Sequence, residues 1–162
     1  MKNISKFILV FIFLAQIAYA YADEVEEGLK ALNRGDYKTA FEIWKPLAEK
    51  GNSTAQFNLG LMYDKGDGVR QNFSKAVKWY RLAAKQRNVS AQFNLGFMYY
   101  NGEGVTRDYE RALKWYLYAA RQGNIGAQFN LGWMFDKGEG VTPNYKRAIK
   151  WYRVAAKHEH AG

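Results

Sequence analysis

Side chains able to do covalent or metal chemistry are few and poorly placed. Serine occurs at Ser5, Ser53, Ser74 and Ser90, and none begins Ser-x-x-Lys or sits in Gly-x-Ser-x-Gly. Cysteine is absent, and the histidines, His158 and His160, stand in the C-terminal tail. No nucleophile–base pair and no zinc set can be assembled from these, and a His-x-His pair in a polar tail reads as a frayed end. Acids fall between glycines at Asp67, Glu103 and Glu139. The spacing of a calcium loop is missing, because the third and fifth positions counted from Asp64 are Gly66 and Gly68, so these read as solvated loop acids. Recognition chemistry is better served. Asn58, Asn94 and Asn130 recur at intervals of 36 residues. A carboxamide donates and accepts at once, which suits the backbone of an extended peptide. Three positions on stand Leu61, Phe97 and Trp133, large apolar groups that could anchor a partner. The chemistry expected is therefore binding without metal or cofactor.

The elements that position these residues repeat with them. Ala55-Gln56-Phe57-Asn58-Leu59-Gly60 returns unchanged at Ala91 to Gly96 and at Ala127 to Gly132. Lys78-Trp79-Tyr80 returns at Lys114-Trp115-Tyr116 and Lys150-Trp151-Tyr152 with the same period. A fixed period of this size marks a stack of supersecondary units. Each unit reads as helix, glycine loop, helix. Asn52, Asn88 and Asn124 are N-caps for the first helices, and Asn72, Asp108 and Asn144 for the second. The expected fold is an all-α solenoid of antiparallel helix pairs, with units at 52–87, 88–123 and 124–159 and a tail at 160–162. Residues 23–51 read as a partial copy capping the stack. Asp36-Tyr37, Ala40 and Ala48 fall on Asn72-Phe73, Ala76 and Ala84. Before them a short helix to Asn33 carries Val25, Leu29 and Leu32 on one side. Pro46 lies inside the next helix, where a lost donor and a clash with the previous turn predict a kink.

Small and large residues alternate as tight helix packing requires. Ala55, Leu59 and Met62 share one helix face. Glycine inside a helix costs about 0.5–1 kcal/mol against alanine, so Gly60, Gly96 and Gly132 imply close helix approach. Ala76, Ala83 and Ala84 with Trp79 and Tyr80 form the complementary surface. Gly66 suits the left-handed closing position of a helix, and Gly68 lets the loop turn so that Val69 can tuck under the repeat.

The pattern Ala-x-x-x-Leu-Gly-x-Met-Tyr, Gly-x-Gly-Val, Ala-x-x-Trp-Tyr-x-x-Ala-Ala is carried by Ala55, Leu59, Gly60, Met62 and Tyr63, by Gly66, Gly68 and Val69, and by Ala76, Trp79, Tyr80, Ala83 and Ala84. It resembles the Sel1-like repeat, a relative of the tetratricopeptide repeat. The resemblance implies a right-handed superhelix whose concave face is lined by the first helices, and an adaptor or regulator role in protein complexes. A cysteine-rich branch of that family is associated with β-lactam binding, and the missing cysteines and Ser-x-x-Lys argue against carrying this over. Arg87 and Glu159 stand where Gly51 and Gly123 do, so those helix exits are expected to turn less sharply.

The stripe Thr54, Asn58, Leu61, Lys65 then lines the groove, followed by Ser90, Asn94, Phe97, Asn101 and by Gly126, Asn130, Trp133, Lys137. Two readings stay open: a partner-binding groove, or asparagines bonded to the neighbouring repeat with packed aromatics beside them. On the second helices Ser74, Lys78, Arg81 and Lys85, Lys114 and Arg121, and Lys146, Lys150, Arg153 and Lys157 form a basic ridge, either a solvated surface or a dock for an anionic envelope component. The last helix, after Asn144, leaves Trp151 and Val154 without a following unit, so self-association there is one outcome.

The 162-residue chain makes one domain-sized stack, and 48% apolar with 24% charged residues argues against wholesale disorder. Lys2 and Lys6, the mostly apolar run Phe7 to Ala18 and small-x-small sites ending at Ala20 and Ala22 read as a signal segment, residues 1–22. Retention of the segment as an anchor is the alternative. Cleavage removes two lysines and no acid, taking the formal charge from +9 to +7. An exported binder of a protein or peptide is expected, with no nucleic acid; the alternative is an envelope accessory or hydrolase that binds peptidoglycan or a β-lactam.

Overall fold

A computed structural model describes residues 23–159, so the signal segment and His160 lie outside the described residues. Eight helices follow one another, with no strand among the described residues. They are α1 (residues 23–33), α2 (Tyr37–Glu49), α3 (Ser53–Lys65), α4 (Phe73–Lys85), α5 (Val89–Asn101), α6 (Tyr109–Arg121), α7 (Ile125–Lys137) and α8 (Tyr145–Glu159). From α2 to α8 each helix packs against the next in sequence, which makes the chain an α-solenoid of helix pairs.

Local chemistry sets the ends. Asp36, Asn52, Asn72, Asn88, Asp108, Asn124 and Asn144 each accept a backbone N–H three residues on, at 2.8–3.1 Å. Gly66, Gly102 and Gly138 close α3, α5 and α7 in the left-handed region. α2 runs on through Pro46, which is solvent-exposed. Val69 and Val105 tuck against the core as expected.

The core is a seam of alanines and aromatic knobs. A Cβ built on Gly60 would lie 2.7 Å from Tyr80 Cδ1, and on Gly96 2.8 Å from Tyr116 Cδ1, so the ring of each second helix rests on the glycine of its partner. Tyr80 and Tyr116 are almost wholly buried in consequence.

Three local expectations are corrected. Leu29 is 38% exposed; α1 instead buries Val25, Gly28 and Ala31, because Trp44 lies on Gly28 as Tyr80 lies on Gly60. The exit of α4 is as sharply turned as its copies: Arg87 adopts φ 68, beside 97 at Gly51 and 90 at Gly123. Glu139 is not merely solvated, since its Oε2 accepts from Tyr100 Oη at 2.7 Å.

Candidate partner-binding groove

The stripe is less exposed than its sequence spacing implies. Asn58 is buried at 6% exposure, and Asn94 and Asn130 are half-buried. The second helix of the preceding unit explains this. Asn94 hydrogen-bonds the phenol of Tyr80, and Asn130 that of Tyr116. Tyr80 also donates to Asp64 at 3.0 Å. Burial, before any other cause, pushes both phenols well above the usual tyrosine range, so they stay neutral donors. Asn58 has no such partner. The residue one period before Tyr80 is Trp44, whose indole N–H donates to Val25 O at 3.3 Å, and Asn58 Nδ2 is buried without a partner.

Two cavities open along the stripe, and they share three positions two periods apart: Trp44, Asn58 and Leu61 in one, Tyr116, Asn130 and Trp133 in the other. One, of about 180 Å³, brings together Asn58, Leu61 and Lys65 above Trp44. The other, of about 200 Å³, brings together Phe97, Asn101, Asn130 and Trp133 above Tyr116. Asn94 lies between them, and Lys137 sits with Nζ 5.0 Å from the Trp133 ring centroid. Phe97 and Trp133 are 44% and 41% exposed, so packing does not account for them.

Trp133 is held from below. Its indole N–H donates to Tyr100 Oη at 3.1 Å, and that hydroxyl donates in turn to Glu139. Burial first, and then the Glu139 carboxylate, push the Tyr100 hydroxyl up to about 12. A large ring fixed by a hydrogen-bond relay and capped by a cation loses little rotamer freedom when something docks on it.

Sequence reasoning passed over the glutamines of the repeated hexapeptide. Gln56, Gln92 and Gln128 are buried and donate to Ala48 O, Ala84 O and Ala120 O at 3.0–3.2 Å. Gln86 and Gln122 then donate to Gln56 and Gln92 at 2.8 and 2.7 Å, stitching each unit to the previous one. The signal was available: an invariant polar residue on the core face needs a buried partner.

The basic ridge is exposed except at Arg81, which turns inward and donates to Tyr99 Oη at 3.0 Å. At the end of the stack Phe129 is 53% exposed beside Ile125, although its copies Phe57 and Phe93 are half-buried.

A family model described as Sel1 repeat matches residues 14–52, 53–88, 89–124 and 125–160. Among solved structures, a Sel1 repeat protein from Oxalobacter formigenes is similar at 37% identity and TM-score 0.79, over 83% of this chain and 55% of that one. A protective antigen of uropathogenic Escherichia coli with an SLR fold is similar at 36% identity and TM-score 0.82, over 90% of this chain and 32% of that one. Among curated proteins, the DAP3-binding cell death enhancer 1 of Rattus norvegicus is 40% identical over 50 residues, 31% of this chain and 10% of that protein. The chain thus spans only part of the relatives it matches.

Proposed function

The chain belongs to the Sel1 repeat family, and from that premise we propose that it is an exported adaptor or regulator that holds a protein or peptide partner in the groove of its first helices. Sel1-repeat proteins mediate protein–protein interaction, so binding rather than catalysis is the role to assign. The observation that carries the finer reading is the exposure of Phe97 and Trp133 beside a cavity floored by Asn130 and Tyr116. Leu59, Met62, Leu95 and Met98 of the same first helices are buried, while Ile125 and Phe129 at the end of the stack are exposed as well. Ordered aromatics with neighbouring amides are what a partner's side chains and backbone would use. Leu61, Phe97 and Trp133 differ while the asparagines do not, so the anchors set which partner fits and the amides hold any chain. Lys65, Asn101 and Lys137 rim the groove.

The test is capture from an envelope extract by the mature chain, with the double variant Phe97→Ala, Trp133→Ala as control. Capture should be lost while the melting temperature stays close to the parent's. A partner that still binds the double variant as tightly removes the groove from consideration.

Export rests on the charge, apolar run and small-x-small sites of residues 1–22. Mass analysis of the chain from the envelope fraction should give an N-terminus at Tyr21 or Asp23. A chain still starting at Met1 in the soluble cytoplasmic fraction would remove that part of the reading.

A further inference from the structure

Arg87 is the one non-glycine residue with positive φ among the described residues. Its backbone makes the same turn as its copies: Arg87 N donates to Ala84 O at 3.0 Å, as Gly51 N does to Ala48 O and Gly123 N to Ala120 O. Glycine makes that turn without a Cβ clash, so arginine is strained there and contributes nothing to the turn itself. Strain that persists against an available remedy points to a use for the side chain.

The side chain lines a crevice of about 520 Å³ at the junction of α4, α5 and α6, together with Lys85 and Arg121. None of these three cations is ion-paired among the described residues, and no acid lines the crevice. Lys85 and Arg121 end their helices, where a cation is favoured by the dipole. That account does not reach Arg87, which lies beyond the helix. The wall is aromatic: Trp115 and Tyr118 meet edge to face at 5.6 Å. Gln122 is fixed behind them, donating to Gln92 Oε1 at 2.7 Å and Tyr118 O at 3.2 Å.

The junction one period earlier is an internal control. There the corresponding residues are Glu49, Gly51 and Lys85, with Trp79 and Leu82. One cation becomes an acid, the strained arginine becomes glycine, and the phenol becomes an aliphatic chain. One period later Arg121 and Lys157 remain, but Gly123 and Val154 stand for the arginine and the phenol, so the three cations and the second ring meet at one junction only.

We propose that this crevice binds a phosphate monoester carried on a flat ring. Guanidinium groups match phosphate oxygens bidentately, and three cations suit a dianion better than a single carboxylate. The ring would lie against Trp115 and Tyr118. The site uses second-helix residues and does not depend on the first-helix groove.

Phenyl phosphate titrated into the ¹⁵N-labelled full chain at low salt is the probe. The Trp115 indole and the Arg87 and Tyr118 amides should shift saturably, with benzoate and inorganic phosphate weaker by about tenfold or more. Arg87→Gly should raise the melting temperature by a few degrees and weaken binding by about tenfold or more. Arg121→Gln should weaken binding with the fold unchanged. O-phosphotyrosine binding above adenosine monophosphate assigns a protein-borne ligand, and the reverse order a free nucleotide. Absence of shifts up to ~10 mM phenyl phosphate overturns the proposal; so does undiminished binding in both variants, or a lower melting temperature for Arg87→Gly.

Discussion

Asn94 hydrogen-bonds the phenol of Tyr80 in the preceding repeat, whereas its copy Asn58 shares a cavity with the indole of Trp44 and leaves Nδ2 without a partner. The same side chain is satisfied in one copy and orphaned in another, because the residue beneath it changed from a phenol to an indole already committed to Val25 O. Removing a hydrogen-bond partner from a buried group costs about 1–3 kcal/mol, while replacing an unsatisfied buried group by an apolar one of similar shape is neutral or favourable. Tyr80 keeps its bond to Asp64, so Asn94→Leu should lower stability by about 0.5–1.5 kcal/mol, and Asn58→Leu should leave it unchanged or raise it. Urea unfolding midpoints of the two variants read this directly, and equal losses would contradict it.

The seat of Tyr116 on Gly96 leaves no room for a methyl group. A Cβ there would lie 2.8 Å from two atoms of the ring. Gly96→Ala gains helix propensity but must displace the ring, so a net loss of about 1–3 kcal/mol is expected. Thermal unfolding checks it. Accompanying the loss, the near-ultraviolet circular dichroism of the packed aromatics should weaken.

The glutamine stitch should be costly to cut. Gln92 spans two units, donating to Ala84 O and accepting from Gln122. Gln92→Ala removes one bond from each partner, though Ala84 O keeps Arg87 N and Gln122 keeps Tyr118 O, and it opens a void, for a loss of roughly 1–3 kcal/mol. Hydrogen exchange should show the junction of α4 and α5 opening before the outer repeats; uniform exchange would argue that units are held by apolar contact alone.

Alkali should unfold the stack through its buried tyrosines. Tyr80, Tyr116 and Tyr152 are raised above the ordinary tyrosine value by burial, and Tyr100 is raised to about 12 by burial and Glu139. The unfolded chain ionises these four near 10, where the folded chain keeps them protonated. Between those values the folded state holds more protons, so stability is intact below pH 10 and falls as pH rises toward 12 and beyond. Absorbance at the phenolate band should show these four tyrosines ionising only with loss of helical circular dichroism.

Residues 23–51 show where periodicity stops being readable. Sixteen residues separate Gly28 from Trp44, against twenty between Gly60 and Tyr80. The shorter loop between α1 and α2 throws α1 out of the 36-residue register, so its glycine and its buried face could not be aligned by counting. The family model counts residues 14–52 as the first of four repeats, which agrees with Trp44 resting on Gly28.

By itself the sequence determined the helices, their caps, their glycine exits and their pairing, because each of these depends on residues within about one turn or on a strict period. Asn52 caps α3 whatever lies elsewhere in the chain. Only the tertiary structure decided the environment of each copy. Whether Asn58 is satisfied, whether Phe97 and Trp133 stay exposed, and whether Arg87 stands among cations are set by side chains of other helices that stacking brings together. A repeat fixes geometry equally in every unit. The identity of the neighbour, which the repeat does not fix, decides whether a given side chain packs, bonds or is left open to a partner.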